Sequence, residues 1–192
     1  MTVASPVLAT RLLGRSRVAS IAAVLAFTAL TAIAAQFSFR IPPIEVPFTL
    51  QTGVVLLAGG ALGANRGFAS QLLYVLLGGF GLPIFAEASG GLGVFGRATG
   101  GYLIGFLVAS FVVGKLAERH HDRRFVTGFG AFTLGSLIIY VFGVIGLMIN
   151  LNLTLGEAVA NGVVPFVFWD VLKALVAGLL LTGAWKISDA AS

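Results

Sequence analysis

VVPFVFWDVLKALVAGLLLTGAW, residues 163–185, is an apolar run long enough to cross a bilayer, yet it carries one acid and one amine, Asp170 and Lys173. A charge at a helix centre in lipid costs roughly 2.5 to 3.5 kcal/mol, so one that is kept there has a partner and, by default, a task. Three residues apart on a helix, two side chains diverge by about 60° and share a face. Asp170 and Lys173 can therefore meet in one pocket. A self-neutralising structural ion pair, or a Lys173 that snorkels to a head group, would use the same spacing.

Five similar runs precede it, and the six together mark helices at residues 18–35, 49–64, 68–85, 98–117, 125–148 and 163–186. About 20 residues cross the roughly 30 Å hydrocarbon core. The run at 49–64 is short, and either starts earlier, at Pro47, or sits in thinned bilayer. Of the 192 residues 58% are hydrophobic and 10% charged, against about 25% charged in soluble domains. No stretch sustains the period-2 alternation of a barrel strand, so the backbone must satisfy itself in helices. The expected fold class is all-α, an integral membrane protein with six transmembrane helices forming one domain over residues 1–192. No soluble domain, repeat or linker interrupts it.

Basic residues orient such a bundle, because Lys and Arg accumulate in short cytoplasmic loops. Arg11, Arg15, Arg17, Arg66, Lys115, Arg119, Arg123, Arg124 and Lys186, nine of the twelve, fall on one side; Arg40 and Arg97 fall on the other. Both termini are expected in the cytoplasm of a multi-pass cell-membrane protein. The net charge of +5 then follows from topology, and no basic groove with interleaved aromatics points to nucleic acid. The basic start and small residues at Ala32, Ala34 and Ala35 resemble a signal peptide, but a span-length run followed by five others suits a retained helix. With no cysteine, thiol catalysis and disulfides are excluded. His120 and His121 lie in a charged loop and read as solvated residues rather than metal ligands.

Three segments gather on the side opposite the cations. FSFRIPPIEVPFTLQ, residues 37–51, holds three of the six prolines and forms a stiff, extended connection suited to a lid. GLPIFAEASGGLGVFGRATGGYLIGF, residues 81–106, carries eight glycines, which let backbone approach a small polar ligand closely. Gly101 and Gly105 in it also form a small-xxx-small pair of the kind that packs helices. The third segment runs from Asn150 through Asn152, Glu157 and Asn161 to Pro165 and Phe166. Asp170 follows about one and a half turns below Pro165, so three loops and two charges converge on one site.

The ordered motifs Pro47-Phe48-Thr49-Leu50-Gln51, Gly81-Leu82-Pro83-Ile84-Phe85, Ser89-Gly90-Gly91-Leu92-Gly93, Thr99-Gly100-Gly101-Tyr102 and Pro165-Phe166 with Asp170-Val171-Leu172-Lys173 resemble the BioY family. The resemblance covers nearly all of the chain from Phe37 onward. It implies the S-component fold, six helices with an outward-facing substrate pocket, and a biotin-capturing role in an energy-coupling factor (ECF) transporter. It further implies that Asp170 and Lys173 contact biotin. The ureido ring offers N–H donors to a carboxylate and an oxygen to an ammonium. Phe48, Tyr102, Phe166 and Trp169 are expected as apolar walls, with Ser89, Gly90 and Gly91 in the binding loop. Lys173 or Arg97 would meet the biotin carboxylate. The chain departs from the family pattern at Arg97-Ala98, where many members have Gly-Pro, at Ser89, where some have Asn, and at Trp169, often Gly.

Ala19 with Ala23, and Ala22 with Ala26, are small-xxx-small pairs on the first helix. They are the family's docking device, although they equally suit packing inside an alanine-rich bundle. The partners so implied, besides the lipid bilayer, are a coupling membrane subunit and two cytoplasmic ATPases. The chain itself has no phosphate-binding Gly-x-x-x-x-Gly-Lys-Ser/Thr loop. In the family mechanism the loaded protein topples in the membrane. No metal, cofactor or enzymatic activity is expected, because Asp170 and Lys173 do not make a nucleophile-and-base set. An S component for another small vitamin, or a structural membrane protein, are the alternatives.

Overall fold

The computed structural model describes residues 7–14 and 16–190; Arg15, one of the cations used for orientation, lies outside the described residues. Eight helices follow in order among the described residues: α1 Leu8–Leu13, α2 Arg17–Gln36, α3 Gln51–Leu62, α4 Ala64–Gly79, α5 Gly100–Ala117, α6 Phe125–Leu151, α7 Leu155–Gly162 and α8 Val167–Ala190. Four of them, α2, α5, α6 and α8, are long and apolar enough to cross a membrane. α3 and α4 have 12 and 16 residues, short of the roughly 20 a full crossing takes.

Helix boundaries differ from the sequence expectation where local chemistry intervenes. Phe48–Thr49 (β2) pair antiparallel with Ser38–Phe39 (β1) in a small ribbon, so α3 starts only at Gln51. Gly63, at φ 83°, ends α3, and the Ala64 N–H, orphaned at the new helix start, donates to Glu118 Oε1 at 3.0 Å. α4 therefore begins four residues before the expected 68 and stops at Gly79, leaving Phe80–Phe85 in turns. α6 runs on to Leu151 and ends at the left-handed Asn152, φ 54°. The capping box of Thr154 and Glu157 opens the unforeseen α7, and those Thr154 hydrogen bonds hold the Glu157 carboxyl below its ordinary range. Pro165 biases the residue before it away from helical backbone, which delays α8 to Val167.

α5 lies at the centre, packed on α3, α4 and α6. Gly101 faces the backbone of Gly146 so closely that a Cβ at either position would collide with the other, so this glycine serves helix packing. α2 and α8 are only 28% buried along their spans, and Val18, Ile21 and Leu25 of α2 are exposed; these are surfaces for lipid. Thr28 Oγ1 donates to Ser70 O at 2.9 Å, and Gln71 Nε2 to Thr31 Oγ1 at 3.2 Å, which satisfies the buried polar groups between α2 and α4. The alanine pairs of α2 split. Ala23 is buried in a cluster with Ala9 and Leu62 and cannot present a free face, Ala19 is half-buried, and Ala22 and Ala26 are exposed.

The charged loop between α5 and α6 is less solvated than expected. His120 and His121 are exposed, but Asp122 is buried and accepts from Trp185 Nε1 at 2.5 Å, while the Arg123 guanidinium lies 4.5 Å from the Trp185 ring centroid. Burial raises the Asp122 carboxyl above its ordinary value of 3.8, opposed by the Trp185 hydrogen bond. The folded state thus holds that proton more tightly than the unfolded chain. Ionisation consequently costs stability in full at pH values above the folded pKa; the cost begins to fall as pH drops through it and is gone only below the unfolded value. Trp185→Phe removes the donor that offsets this cost and should destabilise by about 1–3 kcal/mol at neutral pH. The loss should shrink as the pH is lowered toward 4, as detergent-solubilised thermal unfolding at two pH values would show.

Candidate functional site

Asp170 is 5% exposed and sits on the first turn of α8, facing the bundle. Lys173 Nζ pairs with its Oδ1 at 2.5 Å and also donates to Thr49 O and Thr52 Oγ1, both at 2.8 Å. The Thr52 hydroxyl, accepting from Lys173, donates to Asp170 Oδ1 at 2.8 Å. Tyr140 of α6 donates to Asp170 Oδ2 at 2.5 Å. Three donors thus converge on a carboxylate with about four acceptor sites, and all three Lys173 protons are engaged. The charge pair is satisfied from β2, α3 and α6, as a buried ion pair must be.

This cluster forms the polar floor of a cavity of about 580 Å³ at the loop-rich end of the bundle. Its walls are largely apolar: Phe85, Tyr102, Leu103, Phe106 and Phe166. Tyr102 is fixed by donating to Gly162 O at 2.7 Å. Gln51, also on the wall, donates one Nε2 hydrogen to Tyr74 at 2.7 Å, and Tyr74 donates on to Ile84 O at 3.2 Å. Phe48 stands behind the wall, its ring centroid 4.3 Å from that of Phe166 and 5.0 Å from that of Phe39.

Above this cavity lies a wider, polar vestibule of about 930 Å³. Pro47, Ala86 and Thr99 border both spaces and make the neck between them. Arg40 Nη2 donates to Glu87 Oε2 at 2.6 Å, and its Nη1 lies 3.7 Å from Glu45 Oε2, which ties the proline-rich segment to the glycine-rich one. Glu87 and Ala88 are both left-handed, at φ 60° and 51°, an uncommon pairing without glycine that shapes the rim. Asn150 Nδ2 donates to the Phe95 and Arg97 carbonyls at 2.8 and 2.9 Å. The start of the third segment therefore anchors the rim, while its end, Phe166, lines the inner cavity.

Among the residues singled out in the sequence, Asp170, Lys173, Tyr102 and Phe166 line the inner cavity, while Arg97 and Ser89 line the vestibule. Ser89 spends its hydroxyl on Ala86 O at 2.7 Å. Gly90 and Gly91 line neither space: a Cβ on Gly90 would strike the Leu82 carbonyl, and Gly91, at φ 88°, donates its N–H to Gly78 O at 2.7 Å. They build the loop. Trp169 does not form a wall; it is 47% exposed and faces away with Phe168. Tyr140, Thr52 and Gln51 are additions. Tyr140 had a signal, being the single phenol in the apolar run at 125–148.

The model of the BioY family matches residues 6–190. The chain belongs to the BioY family. The biotin transporter BioY of Thermotoga maritima is 42% identical over 154 residues, covering 80% of this chain and 88% of that protein. That of Rhodobacter capsulatus is 39% identical over 146 residues, 70% of this chain and 76% of the relative. The crystal structure of the S-component for biotin from an ECF-type ABC transporter superposes with a TM-score of 0.82 at 26% identity, covering 88% of this chain and 92% of the other. The resemblance carried by the sequence motifs is thereby established. BioY membership and the four apolar helices make this a multi-pass membrane protein.

Proposed function

We propose that this protein captures biotin on the outer side of the membrane and moves it inward as the S component of an ECF transporter. One observation carries the reading: Asp170 lines the floor of a largely apolar cavity with three donors on its carboxylate, which leaves one of about four acceptor sites unfilled by them. A ureido N–H fills that site, and the second Gln51 N–H meets the ureido oxygen. The fused rings lie among Phe85, Leu103, Phe106 and Phe166, and the valeryl chain passes the neck. Lys173 is fully engaged with Asp170, Thr49 and Thr52, so Arg97 in the vestibule receives the biotin carboxylate.

On this reading the chain crosses six times, with α3 and α4 as the two short crossings, and the distribution of Lys and Arg supports cytoplasmic termini. The exposed pair Ala22 and Ala26 then docks a coupling membrane subunit that carries two ATPases, and toppling delivers the ligand. A panel of small vitamins in thermal unfolding tests the cargo. At 100 times its dissociation constant the true ligand adds about 2.7 kcal/mol of stability. Biotin alone should raise the midpoint; a larger shift with another vitamin would reassign the cargo.

A further inference from the structure

The vestibule is built for more than a carboxylate. Four charged side chains line it, two of each sign, Arg40 and Arg97 with Glu45 and Glu87, so its formal charge is zero. A site made only to hold a ligand's anionic end would be cationic and close-fitting. This one is open and electrically balanced: Arg40, Glu45 and Glu87 have side chains 42%, 64% and 44% exposed. The carboxyl end of a ligand seated on Asp170 emerges through the neck at Pro47, Ala86 and Thr99 into this space.

We infer that the protein also binds biotin extended at its carboxyl group through an amide to an amino acid, with the zwitterionic end of the extension held in the vestibule. Biotinyl-lysine is the simplest such ligand. Its amide carbonyl replaces the free carboxylate beneath Arg97. Its terminal carboxylate is placed to meet Arg97 or Arg40, and its ammonium Glu45 or Glu87. No part of the extension has to enter the apolar cavity, so the ring site is unchanged. The inference rests on biotin occupying the inner cavity as proposed.

Calorimetric titration of the purified full chain with biotin and with biotinyl-lysine tests it. A pocket that demands a particular polar group rejects an analogue lacking it by about 10⁴-fold or more. Here biotinyl-lysine should bind within about a hundredfold of biotin, and weaker binding than that overturns the inference while leaving biotin capture intact. If neither ligand binds, the underlying reading fails as well. Glu45→Gln with Glu87→Gln supplies a second measure. Removing both acids leaves the vestibule cationic and should shift the preference toward free biotin by about fivefold, the scale of exposed charge pairs. An unchanged ratio would remove the acids from any part in holding the extension.

Discussion

Asp170→Asn should weaken biotin binding by between about ten- and a hundredfold in a protein that still folds. The amide nearly matches the carboxylate in size, and its oxygen can still accept from Thr52 or Tyr140. It cannot, however, neutralise Lys173, whose side chain is 18% exposed, nor offer a charged acceptor to a ureido N–H. Stranding one member of a buried pair costs about 3–5 kcal/mol, so some of the effect will be lost stability. The double variant Asp170→Asn, Lys173→Met separates the two contributions. It should regain thermal stability, because no charge is left unpaired, without regaining affinity. Affinity restored together with stability would mean that the pair only holds α8 against α3 and α6.

The second large effect concerns motion rather than capture. Ala22→Leu with Ala26→Leu roughens the exposed face of α2 at a distance from the cavity. Biotin binding to the isolated protein should stay at its original strength while ATP-driven uptake in cells carrying the coupling module falls to background, because bulky side chains keep helix backbones from close approach. Parallel loss of binding and uptake would remove these alanines from docking. Ala23→Leu is the informative contrast. Ala23 is 7% exposed, and overpacking there should destabilise the protein by about 1–3 kcal/mol.

Much of this was legible in the chain because lipid imposes strict rules. Uniform apolar runs had to be helices, and two ionisable groups in one of them had to find partners inside the bundle. What the chain left open has a geometric origin. Successive residues on a helix turn by about 100°, so Trp169 lies well around from Asp170 and faces outward, whereas Lys173, about 60° away, bends its flexible stem back to the acid. Tyr140 and Thr52 were missed because a hydroxyl in an apolar run is cheap enough to pass as ordinary. Only the packing of α3 and α6 on α8 reveals that both bond to one carboxylate. Gly90 and Gly91 build the loop, and sequence cannot distinguish a glycine that admits a ligand from one that admits a neighbouring carbonyl; Ser89 beside them lines the vestibule. The ion pairs of Arg40 likewise depend on two loops meeting, and loop geometry carries no periodic signal.

Crystals of the protein grown with biotin would decide most directly whether the buried acid and amine form a vitamin site. The bicyclic ring should appear in the inner cavity with a ureido nitrogen within hydrogen-bond reach of Asp170 and the carboxylate in the vestibule beside Arg97. Biotin bound elsewhere, with Asp170 and Lys173 still engaged only with each other, Thr49, Thr52 and Tyr140, would contradict it.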